Sequence, residues 1–130
     1  MAKPVVVDAS ALVDVLVGTP HAAAVRARLD ECLWHAPAHL DAEVLSALGR
    51  LSRAGHLDIA EVDERLALVG SMPLSRQPLP PLLAGAWGRR GELRLVDALY
   101  VELAHQLSAP LITTDRRLAR ATPLAEAVTP

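Results

Sequence analysis

Apolar positions follow two rhythms along this chain. Short unbroken runs at Pro4–Val7 and Pro110–Thr114 each lead into an aspartate, Asp8 and Asp115. Such runs read as strands buried on both faces. Cys32–Ala36, closed by Pro37, reads as a third strand, Met72–Arg76 as a fourth, and Ala125–Val128 as an edge strand. Elsewhere apolar residues recur at helical spacing. Leu40, Val44, Leu48 and Leu51 form one stripe within Ala38–Arg53, which Gly55 ends. Further helices are predicted over Ala11–Val17 (capped by Ser10 and stopped by Gly18), Pro20–Leu29, Asp58–Val69 and Val96–Leu107, with one opened by Pro80-Pro81 that fades near Gly88 and a single turn at Arg116–Arg120. Asp58 and Glu61 stand at capping-box spacing. Strands alternating with helices predict an α/β fold of three layers, a mostly parallel sheet with helices on both faces.

The chain has 130 residues, and a single domain spanning 1–130 is expected. No repeat or linker interrupts it; the Pro-rich 73–81 stretch reads as a loop or irregular strand. At 52% hydrophobic residues with no Phe and only Trp34, Trp87 and Tyr100 as aromatics, the core must be aliphatic. That argues against nucleic-acid modules that stack bases on aromatic platforms. Cys32 is the only cysteine, so neither an internal disulfide nor a thiolate zinc site is available. A cytoplasmic location is expected: the start is no signal peptide, and no stretch is apolar enough to span a membrane.

Charge is unevenly spread although the net value is only −2. Met1–Ser75 carries ten acids against six bases, and Arg76–Arg120 carries seven arginines against four acids. Arginine suits bidentate phosphate contacts. A genome rich in Arg codons explains the bias equally well.

The acids carry the chemistry. Asp8 and Asp115 each close a predicted strand, and open α/β sheets bind ligands at that edge. Glu43 and Asp97 sit near predicted helix starts, which lie at the same edge. Each acid alone has an ordinary role as a turn residue, a cap or a partner of the helix dipole. Four converging carboxylates repel, which raises some of their pKa values. A hard divalent cation such as Mg²⁺ relieves this, taking oxygen ligands and completing its shell with water and phosphate oxygens.

Four segments, in order, resemble the motifs of PIN domains. They are Val5-Val6-Val7-Asp8-Ala9-Ser10-Ala11-Leu12, Pro37 through Glu43 to Leu48, Val96-Asp97-Ala98-Leu99-Tyr100-Val101-Glu102-Leu103-Ala104, and Pro110-Leu111-Ile112-Thr113-Thr114-Asp115-Arg116-Arg117-Leu118. The compact length is similar to that of VapC-type toxins of bacterial toxin–antitoxin modules. The resemblance implies a PIN fold, a homodimer, RNA cleavage dependent on Mg²⁺ or Mn²⁺, and inhibition by a cognate antitoxin. It implies metal and catalytic roles for Asp8, Glu43, Asp97 and Asp115. It also implies supporting hydroxyls at Ser10 and Thr113, with Thr114 the alternative to Thr113. Arg116, with Arg117, is a candidate for RNA phosphate or for the rim of the site.

Other residues stay unpromoted. The five histidines show no metal-ligand spacing, no GxSxG elbow announces a nucleophile, and the glycines form no phosphate loop. Asp14, Asp41 and Glu102 read as solvated helix faces, with Asp41 a candidate fifth acid at the rim. A phosphoacceptor receiver would need paired acids after its first strand and a late lysine, yet Lys3 is the only lysine. A haloacid-dehalogenase-like phosphatase would need an Asp where Ser10 stands. A PIN-fold module that binds RNA or protein without cutting is the alternative. The Leu- and Ala-rich Leu40–Val69 region is expected to bury part of its surface in a two-fold dimer.

Overall fold

A computed structural model describes all residues, Met1–Pro130. Five parallel strands form one sheet: β1 (Lys3–Val7), β2 (Cys32–Pro37), β3 (Leu74–Gln77), β4 (Leu111–Thr113) and β5 (Ala125–Ala127), in the order β3-β2-β1-β4-β5. The chain steps outward from β1 to β2 and β3, then returns to add β4 and β5 on the other side. This reversal leaves a crevice at the carboxyl ends of β1 and β4, where such sheets bind ligands.

Helices fill the connections. They are α1 (Ala9–Val17), α2 (Ala22–Leu29), α3 (Leu40–Arg53), α4 (Ile59–Ser71), α5 (Leu83–Gly88), α6 (Leu95–Leu107) and α7 (Arg116–Ala121), with a 3-10 turn at Pro80–Leu82. Right-handed crossovers send α1–α4 to one face of the sheet and α5–α7 to the other. The packing agrees: α1 meets α2 and α3, α3 meets α4, and α5 packs on α6, which lies against β1, β2 and β4. Val5, Val6 and Val7 are buried, as a strand covered on both faces requires. Leu40, Val44 and Leu48 are fully buried along α3, while Leu51 is only partly buried at the margin of the core.

One helix boundary differs from expectation for a local reason. Ser10 does not cap α1. Asp8 does, its side chain accepting from the Ala11 N–H, and Ser10 falls inside the first turn. Helix α4 begins as expected, with Asp58 and Glu61 forming a reciprocal capping box. Gly18 ends α1 at φ 81°, a left-handed position that suits glycine. No helix is long and apolar enough to cross a membrane.

Candidate active site

The carboxyl edge of the sheet opens into a cavity of about 400 Å³. Asp8, Glu43, Asp97 and Asp115 all line it, together with Ser10 and Thr114. Each acid arrives there through an element boundary. Asp8 follows β1, Asp115 follows β4, Glu43 lies in the first turn of α3, and Asp97 lies in the first turn of α6.

Asp8 is the most buried of the four, at 5% exposure. Its Oδ1 accepts from Ser10 Oγ at 2.8 Å and from the Ala11 N–H at 3.0 Å. Its Oδ2 accepts from Thr113 Oγ1 at 2.6 Å. Burial pushes the Asp8 carboxyl up to about 6, outweighing the three hydrogen bonds that favour its charge. Repulsion from Asp115 adds the smallest part, so desolvation and not crowding of acids is the main cause.

Thr113 is wholly buried. It orients Asp8 and accepts the Asp115 N–H at 2.9 Å, tying the two strand-end acids together. Thr114 lines the cavity, and its N–H donates to Ser10 Oγ at 3.3 Å. The two threonines therefore divide the roles: Thr113 holds Asp8 from below, and Thr114 faces the open side.

Glu43 is set by Tyr100, which the sequence reading passed over. Tyr100 Oη donates to Glu43 Oε1 at 2.6 Å, and His39 Nε2 lies 3.4 Å from the same oxygen. The His39 ring tilts against Tyr100 with centroids 4.8 Å apart. Tyr100 is 1% exposed, and burial followed by the Glu43 carboxylate holds its phenol far above the usual range, so it stays a donor. Helical spacing reveals it, because Tyr100 is three residues after Asp97 and shares its face of α6.

The outer acids carry arginines. Arg94 Nε donates to Asp97 Oδ2 at 3.0 Å and Nη2 to Oδ1 at 3.3 Å. Asp115 Oδ1 accepts the Arg117 N–H at 2.9 Å, capping α7, and Arg117 Nε lies 3.5 Å from it. Arg50, seven residues after Glu43 on α3, lines the far side of the cavity.

Arg116 is exposed and lines neither depression at this edge, while its neighbour Arg117 lies against Asp115. Two expectations need correction. Glu102 is no solvated residue: it is 8% exposed, pairing with Arg89 at 3.3 Å and accepting from Gln106 at 2.8 Å. Asp41 is no rim acid: it is absent from the cavity lining and takes a bidentate contact from Arg76, at 2.7 and 3.0 Å. Asp14 does line the cavity, where it accepts from Thr19 Oγ1 at 2.9 Å.

A divalent cation fits the donor chemistry, which is oxygen throughout. As the side chains stand, no three His, Cys, Asp or Glu residues close around a common point. Two of the four acids are drawn towards guanidinium groups, so the cluster already accommodates positive charge. Asp97 and Asp115 would have to exchange these arginines for a metal ion.

A PIN domain model matches residues 5–123, nearly the whole chain. This chain belongs to the PIN-domain family. Among its relatives, Ribonuclease VapC3 of Mycobacterium tuberculosis is 59% identical over 127 residues, 97% of this chain and 93% of that protein. Ribonuclease VapC12 of the same species is 40% identical over 119 residues, covering 89% and 90%. These likenesses make it a VapC-type PIN protein. The crystal structure of PAE2754 from Pyrobaculum aerophilum superposes with a TM-score of 0.67 at 26% identity, covering 95% of this chain and 82% of the other. A toxin–antitoxin complex from Klebsiella pneumoniae gives a TM-score of 0.67 at 17% identity, covering 95% and 96%, a likeness of fold alone.

Proposed function

We propose that this VapC-type PIN protein is the toxin of a toxin–antitoxin pair, an endoribonuclease that hydrolyses RNA phosphodiester bonds with Mg²⁺ or Mn²⁺. The observation that carries the proposal is the shared cavity: four acids from four separate chain segments line one opening at the switch point of the sheet. The names of the Mycobacterium relatives support the substrate class.

Asp8, Glu43, Asp97 and Asp115 would hold the cation. Bound there, a divalent ion lowers the pKa of water and offsets charge growing on the phosphodiester. The chain's own groups prepare the site. Ser10, Thr113 and the Ala11 N–H fix both oxygens of Asp8, so its orientation is set before any ligand arrives. Tyr100 and His39 both reach Glu43 Oε1, which leaves Oε2 as the available donor. Backbone amides likewise engage only Oδ1 of Asp115. The Thr114 hydroxyl, at the open side, is suited to a phosphate oxygen.

Two partners complete the proposal. An antitoxin carrying a basic side chain would pair with the acidic cavity and block it. A second copy would cover exposed apolar surface, as the two-fold dimers of compact proteins do. Leu45 and Leu68 are exposed on α3 and α4, where a dimer surface was expected. The more continuous apolar groove lies between α5 and α6, about 320 Å³ and lined by Leu83, Ala86, Trp87, Leu95, Val96 and Leu99.

The test is cleavage of a mixed RNA pool with Mg²⁺ or Mn²⁺ and with chelator. Cleavage that needs the ion and stops on adding the antitoxin is expected. Full activity in chelator would overturn the metal mechanism. RNA binding with no cleavage under any condition would leave a non-cutting PIN module.

A further inference from the structure

The four acids divide by what holds them. Asp8 and Glu43 are held by neutral hydroxyls, from Ser10, Thr113 and Tyr100. Asp97 is held by Arg94, which donates to both of its oxygens, and Asp115, which caps α7 through Oδ1, has the Arg117 guanidinium beside that oxygen at 3.5 Å. The division has a geometric basis. A second depression of about 170 Å³ shares Arg94, Asp97 and Asp115 with the main cavity and adds Arg117 to its lining. The outer acids and their arginines thus stand where the two hollows meet.

Both arginines are built to let go. Arg94 precedes α6 on extended backbone, at φ −62° and ψ 144°, and its side chain is 68% exposed. The Arg117 side chain is 79% exposed. Exposed ion pairs contribute little to stability, so releasing the carboxylates costs little. A guanidinium released from Asp97 or Asp115 keeps its charge and its planar fork. The strongest recognised acceptor of that fork, other than a carboxylate, is a phosphate.

We propose that Arg94 and Arg117 are exchanging counter-cations, bound to Asp97 and Asp115 in the metal-free protein, displaced by the divalent ion, and then bound to phosphates of the single-stranded RNA beside the cleaved bond. The proposal rests on the metal-dependent ribonuclease reading above. It gives the two arginines effects of opposite sign on the two ligands. They oppose the cation, because they occupy its carboxylates and carry like charge. They favour RNA, because they neutralise phosphate. An arginine that merely positioned Asp97 would help the cation instead. A surface arginine remote from the acids would leave the cation's affinity alone.

Arg94→Gln, Arg117→Gln and the double variant separate these cases. Mn²⁺ binding is measured by calorimetry without RNA at low salt. Binding of a labelled single-stranded oligoribonucleotide with a cleavage-resistant backbone is measured by fluorescence anisotropy over a salt series with saturating Mn²⁺. Each variant is expected to bind Mn²⁺ about threefold tighter, an effect that fades as salt screens the charge. Each is expected to bind RNA about fivefold more weakly, with the salt dependence of log K shallower by about 0.7 per arginine removed. Mn²⁺ affinity that is unchanged or lower in the variants, while wild type binds the ion, overturns the exchange alone. An unchanged salt slope overturns the phosphate half of it. Wild-type protein that takes up no Mn²⁺ at all overturns the metal reading and the exchange with it.

Discussion

Asp8 shows how a single residue trades stability for chemistry. Its carboxyl is pushed to about 6 from an ordinary 3.8, chiefly by burial. The folded protein therefore holds the proton more tightly than the unfolded chain does. Below about pH 4 both states are protonated and there is no penalty. As pH rises to 6 the penalty grows, and above 6 it is complete, at about 3 kcal/mol for a shift of this size. Denaturant unfolding in chelator should show wild-type stability falling across pH 4–6 relative to Asp8→Asn, in which that dependence is flattened. Parallel profiles for the two proteins would refute the assignment. Tyr100 makes a second test at this scale. Tyr100→Phe removes one hydrogen bond to a carboxylate, typically about 1.5–3 kcal/mol before water replaces it at the partly open Glu43. RNA cleavage and Mn²⁺ affinity should each fall about tenfold, while melting changes little. A variant with unaltered Mn²⁺ affinity would show that Glu43 does not depend on Tyr100. Each of the four acids is ordinary by itself, as a turn residue, a cap or a partner of the helix dipole, and they stand out in the sequence only as a set, two closing apolar runs and two at helix starts. Tyr100 and Arg94 were within reach, three residues either side of Asp97, but the sequence does not say which helix face meets Glu43. Glu102 was misjudged because its partners, Arg89 and Gln106, and the space left by Gly85 appear only when α5 packs on α6.

At the scale of elements, strand cores and long helices were readable and short connections were not. Val5–Val7 and Leu111–Ile112 are buried on both faces, so their apolar runs had one good interpretation. The Asp58–Glu61 capping box was equally plain. The first helix misled because Asp8 and Ser10 are both good caps, and the choice between them depends on where β1 ends. The α5–α6 contact offers a test of packing. A Cβ on Gly85 would collide with the Glu102 carboxylate. That side chain is fixed by Arg89 and Gln106, so it cannot move aside without breaking both contacts. Gly85→Ala should destabilise the protein by about 1–3 kcal/mol despite its better helix propensity. In a Glu102→Ala background the same change should cost much less, a coupling that a double-mutant cycle measures directly. Equal costs in the two backgrounds would mean that Gly85 is not kept for Glu102.

For the whole molecule, alternating strands and helices gave the parallel sheet, but not its order. The reversal between β3 and β4 is what brings Asp8 and Asp115 side by side, and nothing in either strand's residues announces it. The surface was also only partly legible: Trp87 is 57% exposed, although large aromatics are usually mostly covered. If a second copy covers the α5–α6 groove, wild-type protein should be dimeric by light scattering at micromolar concentration and Trp87→Glu should be monomeric. A monomeric wild type would refute the dimer. If the four acids together hold the cation used in RNA cleavage, Asp97→Asn should separate that role from a structural one. Asp97 gives up only a partly exposed ion pair with Arg94, so melting in chelator should stay within about 1 kcal/mol of wild type. With Mn²⁺ present, the variant should lose affinity for the ion, and RNA cleavage should fall at least about a hundredfold, on the order of 3 kcal/mol of transition-state stabilisation. Near-normal cleavage and ion binding, with a loss seen only in melting, would make Asp97 a helix-start residue and contradict the four-acid site.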